Sequence, residues 1–262
     1  MKLPKPTRNN YFSLEMEQMY FSASQVKEFL SCSARAAAKI RGEWSEKPGP
    51  ALMIGSYVDA SFDGPKTFER WKSEHPEIYK RDGTLKSDYI RAEEMVQRAR
   101  RDPLFMEYMR GRKQTIKVGE ISGVPFKCKF DVYRKGERIV DLKTAKDFKP
   151  VYLPEQGRVD FASAWNWPLQ GAIYQFIEGN HLPFYLAVIT KEDPPAIAVI
   201  QVEQERLDTE IAYLKEKLPM FNAMKLGIIE PERCENCAYC RATRKLSGVK
   251  LLSEFEELGG TI

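Results

Sequence analysis

An α/β fold is the class this sequence predicts, and three observations carry it. Two β-rich runs flank Arg134-Lys135-Gly136 within Val124–Lys143, which is the signature of a hairpin. Two further β-rich runs, Phe184–Thr190 and Ile197–Val202, are separated by the turn residues Glu192-Asp193-Pro194-Pro195. Helical stretches surround both pairs, the longest being the amphipathic Gln204–Gly227.

A chain of 262 residues can bury one large core with helical additions. Hydrophobic residues make up 43% and charged residues 30%, a globular balance, and no run approaches the roughly 18 apolar residues of a membrane span. The start, Met1 to Arg8, has no apolar stretch of the kind that opens a secretory signal, so a cytoplasmic protein without a membrane role is expected. A net charge of +4 permits nucleic-acid binding without demonstrating it. No internal repeat is present.

Residues 1–20 read as an N-terminal extension, 21–245 as the folded domain and 246–262 as a tail. Ser22 is placed as a helix N-cap with Gln25 at the third position, and Phe21 and Val26 are spaced as a hydrophobic staple. That helix is expected to run to about Ile40 and to carry Cys32. After the polar turn Gly42–Pro50, a second helix is expected over Ala51–Phe62. Gly55 inside it costs about 1 kcal/mol relative to alanine, which often marks close approach of another group. Asp59 follows one turn later on the same face; position alone fits an exposed acid near a helix end equally well. Lys66–Arg112 reads as charged helix with a break near Asp102-Pro103, and its arginines fit a solvated face or a phosphate-contacting one. Gln114–Ile121 is a strand leading into the hairpin. Thr144–Asp160 reads as a loop. Helix 161–179 carries Gln170 and Tyr174 one turn apart, a spacing that an ordinary surface pair beside a core aromatic also satisfies.

The hairpin holds the chemistry. With Arg134-Lys135-Gly136 as loop and Gly136 left-handed, Tyr133 faces Glu137, Asp131 faces Ile139 and Lys129 faces Asp141. Alternation then puts Phe126, Cys128, Phe130, Val132, Val140 and Leu142 on a core side. Lys127, Lys129, Asp131, Asp141 and Lys143 fall on the opposite, solvent side. Two carboxylates a diagonal step apart repel unless a cation lies between them, and oxygen ligands suit Mg²⁺. Lys143 points the same way and can hold a water beside such an ion, the set that metal-assisted phosphodiester hydrolysis needs. A merely solvated charged face accounts for the same residues.

Five cysteines are present, and three of them, Cys234, Cys237 and Cys240, fall within seven residues. In a cytosolic chain that spacing favours metal ligation over disulfides. Cys128 belongs to the apolar side of the hairpin and is set apart from them.

In this order the motifs resemble those of the PD-(D/E)xK nuclease superfamily. Asp131 followed by Asp141-Leu142-Lys143 is similar to its signature, with Phe130 where the proline usually stands. Gly55-x-x-x-Asp59 lies where the RecB-like branch has Gly-x-x-x-His, and Gln170-x-x-x-Tyr174 is similar to that branch's Gln-x-x-x-Tyr. Cys32 with the C-terminal triplet resembles the iron–sulfur members of the branch, though the two-and-two spacing departs from their wider last gap. Phage-type recombination exonucleases of the exonuclease VIII kind are the nearest match, over roughly residues 20–245. The resemblance implies a restriction-endonuclease-like fold, a mixed central sheet flanked by helices, and a Mg²⁺- or Mn²⁺-dependent exonuclease that resects duplex DNA ends. It implies Asp59, Asp131, Asp141 and the Leu142 carbonyl as metal ligands, Lys143 as the water-orienting group, and Gln170 and Tyr174 as strand-positioning residues. It further implies a [4Fe–4S] cluster, or alternatively Zn²⁺, on Cys32, Cys234, Cys237 and Cys240, a single-strand annealing protein as partner, and a possible homo-oligomer. The rival reading is a non-catalytic DNA-binding or assembly protein on a decayed nuclease fold. Intact Asp131, Asp141 and Lys143 speak against it, whereas the missing histidine speaks for it.

Overall fold

Capping residues and prolines cut the first hundred residues into short helices. In the computed structural model, which describes residues 3–154, 156–246, 248–249 and 251–252, α1 (Leu14–Met19) starts at Ser13, whose hydroxyl accepts from the Met16 N–H. Helix α2 (Ala23–Ser31) starts at Ser22, which caps the Gln25 N–H at 3.3 Å as expected. The helix does not continue to Ile40. Cys32 is extended (φ −164°, ψ 104°), and α3 (Ser33–Arg41) begins after it. The Ala34 N–H at the break donates to the Glu232 carbonyl at 2.9 Å, so a long-range partner replaces a helical one and turns Cys32 toward the C-terminal thiols.

Helix α4 (Pro50–Phe62) is followed by α5 (Pro65–Glu74), a 3₁₀ turn at Pro76–Ile78, α6 (Ser87–Arg100) and α7 (Pro103–Tyr108). The Asp102 carboxylate caps α7, which is the break expected there. A second interruption, between Glu74 and Ser87, was not legible as such: Pro76 lacks an N–H, and Gly83 takes φ +81° in the turn before the Tyr79–Leu85 bridge.

Strands β1 (Arg112–Ile121), β2 (Val124–Arg134) and β3 (Arg138–Ala145) form an antiparallel meander. The expected 144–160 loop instead contains a small ribbon of β4 (Val151–Leu153) and β5 (Gly157–Val159). Helix α8 (Trp167–Glu178) then crosses over to β6 (Phe184–Thr190), which pairs parallel to β3, and β7 (Ile197–Gln201) closes the sheet antiparallel. The order is β1-β2-β3-β6-β7, a mixed five-stranded sheet. Helices α2, α8 and α9 (Gln204–Lys225) cover one face, and α4 and α6 the other. A short α10 (Ala238–Ala242) carries Cys240. Among the described residues no helix is long and apolar enough to cross a membrane. The expected 246–262 tail lies mostly outside the described residues.

Two expectations for the hairpin are corrected. The pairs are Val132–Val140, Tyr133–Ile139 and Arg134–Arg138, so the loop is Lys135-Gly136-Glu137, with Gly136 at φ +76°. The shift of two in register keeps each residue's side and moves the loop by one. The apolar positions, however, do not share one side. Phe126, Cys128 and Phe130 join the core under α2 and α8 with Tyr133 and Ile139, whereas Val132, Val140 and Leu142 join the core under α4 and α6. The cause is a distortion at Asp131. Lys113 pairs with Val132 and Thr115 with Phe130, while Gln114 takes φ +50° and stands outside the ladder with Asp131. The interruption adds no residue to either strand, and the core served changes across it, from Phe130 on one side to Val132 on the other. The charged side is not solvated either: Lys127 is fully buried and Asp141 is 1% exposed.

Packing of α8 on β6 leaves no room beside Gly171, where an added Cβ would overlap the Phe184 ring. Gly171→Ala should therefore destabilise the fold by about 1–3 kcal/mol, the usual cost of overpacking. Urea denaturation with an unchanged midpoint would contradict that close contact.

Candidate active site

Four elements deliver the predicted residues to one place. Helix α4 lies against β3 with Gly55 beside Thr144; a Cβ there would meet Thr144 Oγ1 at 3.5 Å, an ordinary contact, so Gly55 is not required for the approach. One turn on, α4 carries Asp59. Strand β2 supplies Asp131 where the β1–β2 ladder is interrupted, and β3 supplies Asp141 and Lys143. Helix α8 brings Gln170 and Tyr174.

The carboxylates are held by specific donors. Lys143 Nζ is 2.5 Å from Asp141 Oδ2. Gln170 Nε2 donates to Asp141 Oδ1 at 2.9 Å and lies 3.1 Å from the Tyr174 hydroxyl, which in turn donates to the Lys129 carbonyl at 3.0 Å. The Leu142 N–H donates to Asp131 Oδ2 at 2.9 Å. Gln114 Nε2 stands 3.4 Å from both Asp59 oxygens and 3.4 Å from Asp131 Oδ1, bridging the two acids. Lys129 does not face Asp141; its ammonium lies over the Phe12 ring.

Burial and mutual repulsion shape the protonation of this group. Burial, then the charges of Asp141 and Asp59, push Asp131 well above the usual carboxylate range. Burial, then Asp63 on the next turn of α4, raises Asp59 to about 6. Burial opposes the charge on Lys143, yet Asp141, Asp131 and Asp59 outweigh it and raise its pKa. The donor set is hard oxygen, the cluster is short of positive charge, and Asp141 Oδ2 is buried without a well-formed hydrogen bond despite its ion pair. These residues fit a divalent cation such as Mg²⁺ or Mn²⁺. The carboxylates are nevertheless not gathered around one point as the thiols are, because the Lys143 ammonium and the Gln114 amide lie among them.

No local pattern marks three further members. Lys27 on α2 donates to Gln170 Oε1 at 2.8 Å, across 143 residues of sequence, and fixes which end of that amide meets Asp141. Burial and the nearby Lys143 lower the Lys27 pKa to about 7. Gln114 looks like an ordinary strand residue until its backbone is seen. Asp63 joins through burial beside Asp59, and its pKa is raised.

The four thiols form a separate centre. The Sγ atoms of Cys32, Cys234, Cys237 and Cys240 all lie within 4.8 Å of one another, with 3.5 Å between Cys32 and Cys240, 3.8 Å between Cys237 and Cys32, and 3.9 Å between Cys234 and Cys240. Burial opposes ionisation of Cys234, but the N–H groups of Asn236 and Cys237 outweigh it and bring the thiol down to about 6. Cys128 is fully buried in the core and takes no part, as alternation implied.

A mixed sheet with an Asp131…Asp141-x-Lys143 hairpin and a supporting crossover helix defines a protein of the PD-(D/E)xK-like nuclease fold. The chain belongs to the family described as the PDDEXK-like domain of unknown function (DUF3799), which it matches over residues 22–243. It is similar to the crystal structure of a putative exonuclease from Eubacterium rectale, with 35% identity, a TM-score of 0.90, and 98% of this chain and 99% of that chain covered. A second solved structure, SSO0001, is matched at 13% identity and a TM-score of 0.29 over 71% of this chain and 84% of its own, which carries no argument. No curated protein matches the sequence.

The raised Asp59 pKa sets a test of the metal site. Between its ordinary value of 3.8 and about 6, the folded state keeps a proton that the unfolded chain has shed. Raising pH through that window therefore removes stability in this group's contribution, and the loss is complete above about 6. A divalent cation competes with that proton, so the gain in Tm from a fixed Mn²⁺ concentration should grow from pH 5 to pH 7. At a hundredfold excess over Kd the gain corresponds to about 2.7 kcal/mol. Asp59→Asn should flatten the pH dependence; a shift independent of pH in both proteins would remove Asp59 from the site.

Proposed function

We propose that this chain is a divalent-metal-dependent deoxyribonuclease that hydrolyses phosphodiester bonds from duplex DNA ends. The observation that carries the reading is the convergence of Asp59, Asp131 and Asp141 with Lys143 on one buried face. Action from ends is supported by the likeness to the E. rectale protein over nearly the whole of both chains. A role in phage-type recombination, with a single-strand annealing protein as partner, extends the reading on the motif resemblance alone.

In this mechanism Asp59, Asp131 and Asp141, with the Leu142 carbonyl, would hold the ion. A bound Mg²⁺ supplies Lewis acidity toward the scissile phosphate and lowers the pKa of a water. The chain's own residues do the rest. Gln170 engages Asp141 Oδ1 and the Leu142 N–H engages Asp131 Oδ2, which fixes both carboxylates; the other two oxygens face the Lys143 ammonium and the Gln114 amide, which a bound ion would have to displace or share. Lys143 orients the attacking water and stabilises charge developing on the phosphate. Gln170 and Tyr174, expected to position the strand, are read here as supports of Asp141 and of the β2 backbone, because both are buried.

The thiol centre is read as a structural clip between the start of α3 and the C-terminal segment. A tetrahedral ion with Zn–S bonds of about 2.3 Å places its sulfurs about 3.8 Å apart. Three of the sulfur pairs, at 3.5–3.9 Å, match that spacing and all four sulfurs lie within 4.8 Å of one another, whereas a four-iron cube between the thiolates spreads them wider. The sulfur geometry thus favours one Zn²⁺ over the [4Fe–4S] cluster that the motif resemblance implies.

Two experiments test these readings. Wild-type protein with Mg²⁺ should degrade linear but not closed circular duplex, and Asp141→Ala or Lys143→Ala should each lose a hundredfold or more, on the order of one transition-state donor. Near-normal rates in either folded variant would sink the assignment. Elemental analysis should find about one zinc per chain in colourless protein. Brown protein with about four irons would restore the cluster, and neither metal after anaerobic purification would end the clip hypothesis.

A further inference from the structure

The segment before the family match, residues 4–20, is fastened to the nuclease sheet with unusual care. Lys127 is fully buried, yet its ammonium donates to the Tyr11 carbonyl and to Glu17 Oε1 at 2.7 Å. Lys225, reaching in from α9, donates to the Glu17 and Tyr20 carbonyls at 2.8 and 2.7 Å. Gln25 donates to the Glu17 carbonyl at 2.7 Å, and Arg8 Nη2 donates to the Lys113 carbonyl at 2.5 Å. Burying two ammonium groups is costly unless each is matched by acceptors. Here the acceptors are backbone carbonyls of this strap, the Glu17 carboxylate and the Gln25 side-chain carbonyl at 3.0 Å, so the strap is a fixed wall.

Its apolar residues divide between core and solvent. Tyr11, Met16 and Tyr20 are buried, Met19 and Leu14 are 37% and 46% exposed, and Phe12, the strap's only exposed aromatic ring among the described residues, is 71% exposed. The Phe12 ring stands edge-on to Tyr11, with centroids 5.0 Å apart and planes at 81°, and Lys129 Nζ lies 4.7 Å from its centroid. Lys129 is two residues before Asp131, its carbonyl receives the Tyr174 hydroxyl, and its charge acts on Asp59 and Asp63. An open aromatic face paired with a cation therefore sits on the rim of the carboxylate site. That pairing suits a nucleotide, with a base to stack and a phosphate to neutralise.

We propose that Phe12 and Lys129 form a nucleotide-binding subsite, in which Phe12 stacks on a base at the DNA end while Lys129 contacts its phosphate. The inference rests on the nuclease reading and names a substrate contact within it. A solvent-facing aromatic costs little to remove, so Phe12→Ala should leave Tm unchanged.

The test is binding by the full chain carrying Lys143→Ala, so that DNA is not consumed, in Mg²⁺ with a fluorescent linear duplex. A second duplex is abasic at the terminal nucleotides of both strands. Adding Phe12→Ala should weaken binding to the ordinary end about tenfold, Phe12→Trp should preserve it, and on the abasic end Phe12→Ala should make no difference. Lys129→Gln should lower the slope of log affinity against log salt by about one. An equal loss on both duplexes, or none on either, overturns the stacking subsite. Wild-type protein that degrades linear DNA in parallel keeps the nuclease reading intact in that event. No binding by any form, with no hydrolysis by the wild type, overturns both.

Discussion

Carboxylates that share a buried face repel one another, and much of this chain is arranged to withstand that repulsion. Asp59, Asp131 and Asp141 come from three elements, and burial weakens the screening that water would provide. Each is restrained by a donor from yet another element: Gln114 from β1, the Leu142 N–H from β3, Gln170 from α8. Lys27 on α2 then fixes Gln170. Removing any donor leaves a buried acid with less reason to stay ionised, so the fold and the site are one problem. The left-handed backbone of Gln114 belongs to the same solution, since it stands opposite Asp131 where the β1–β2 ladder is interrupted and its amide reaches both Asp59 and Asp131.

A hairpin alone could not hold this arrangement, because antiparallel strands with one charged face are free to solvate it. Coverage comes from both termini. The N-terminal strap is pinned by Lys127 and Lys225, and the C-terminal thiols meet Cys32 where α2 ends. Both fastenings use long sequence separation, which makes them slow to form and effective once formed. Lys225 ties the strap to α9, and the Ala34–Glu232 hydrogen bond ties the cysteine-bearing segment to the start of α3.

What the sequence discloses depends on how local its cause is. The Ser22 cap, the turn glycine at 136, the five strands of the sheet and the order of the motifs are all set within a few residues, and all were legible. The break at Cys32 was not, because nothing near it disfavours helix; a carbonyl two hundred residues away supplies the alternative hydrogen bond. The reversal of sides at Asp131 was invisible for a similar reason, since alternation assumes an uninterrupted ladder. Val132 and Val140 were rightly apolar, but in a sheet covered on both faces an apolar residue does not reveal which core it serves. Lys27 and Gln114 carry no motif at all, and only packing gives them a role.

The aspartate in place of the branch's usual histidine then acquires a physical meaning. A neutral imidazole would add a softer nitrogen ligand and no charge, whereas Asp59 adds a third carboxylate and deepens the deficit of positive charge. An all-oxygen site prefers hard ions such as Mg²⁺ or Mn²⁺, while a site of four thiolates prefers Zn²⁺ or iron. With no histidine in either centre, ligand softness separates the two sharply. On the proposed reading a zinc ion would find four sulfurs within 4.8 Å of one another, and the oxygen site would offer it little by comparison. Under the proposed function, the substitution would sharpen metal partition within one chain and leave the carboxylate site to a hard ion.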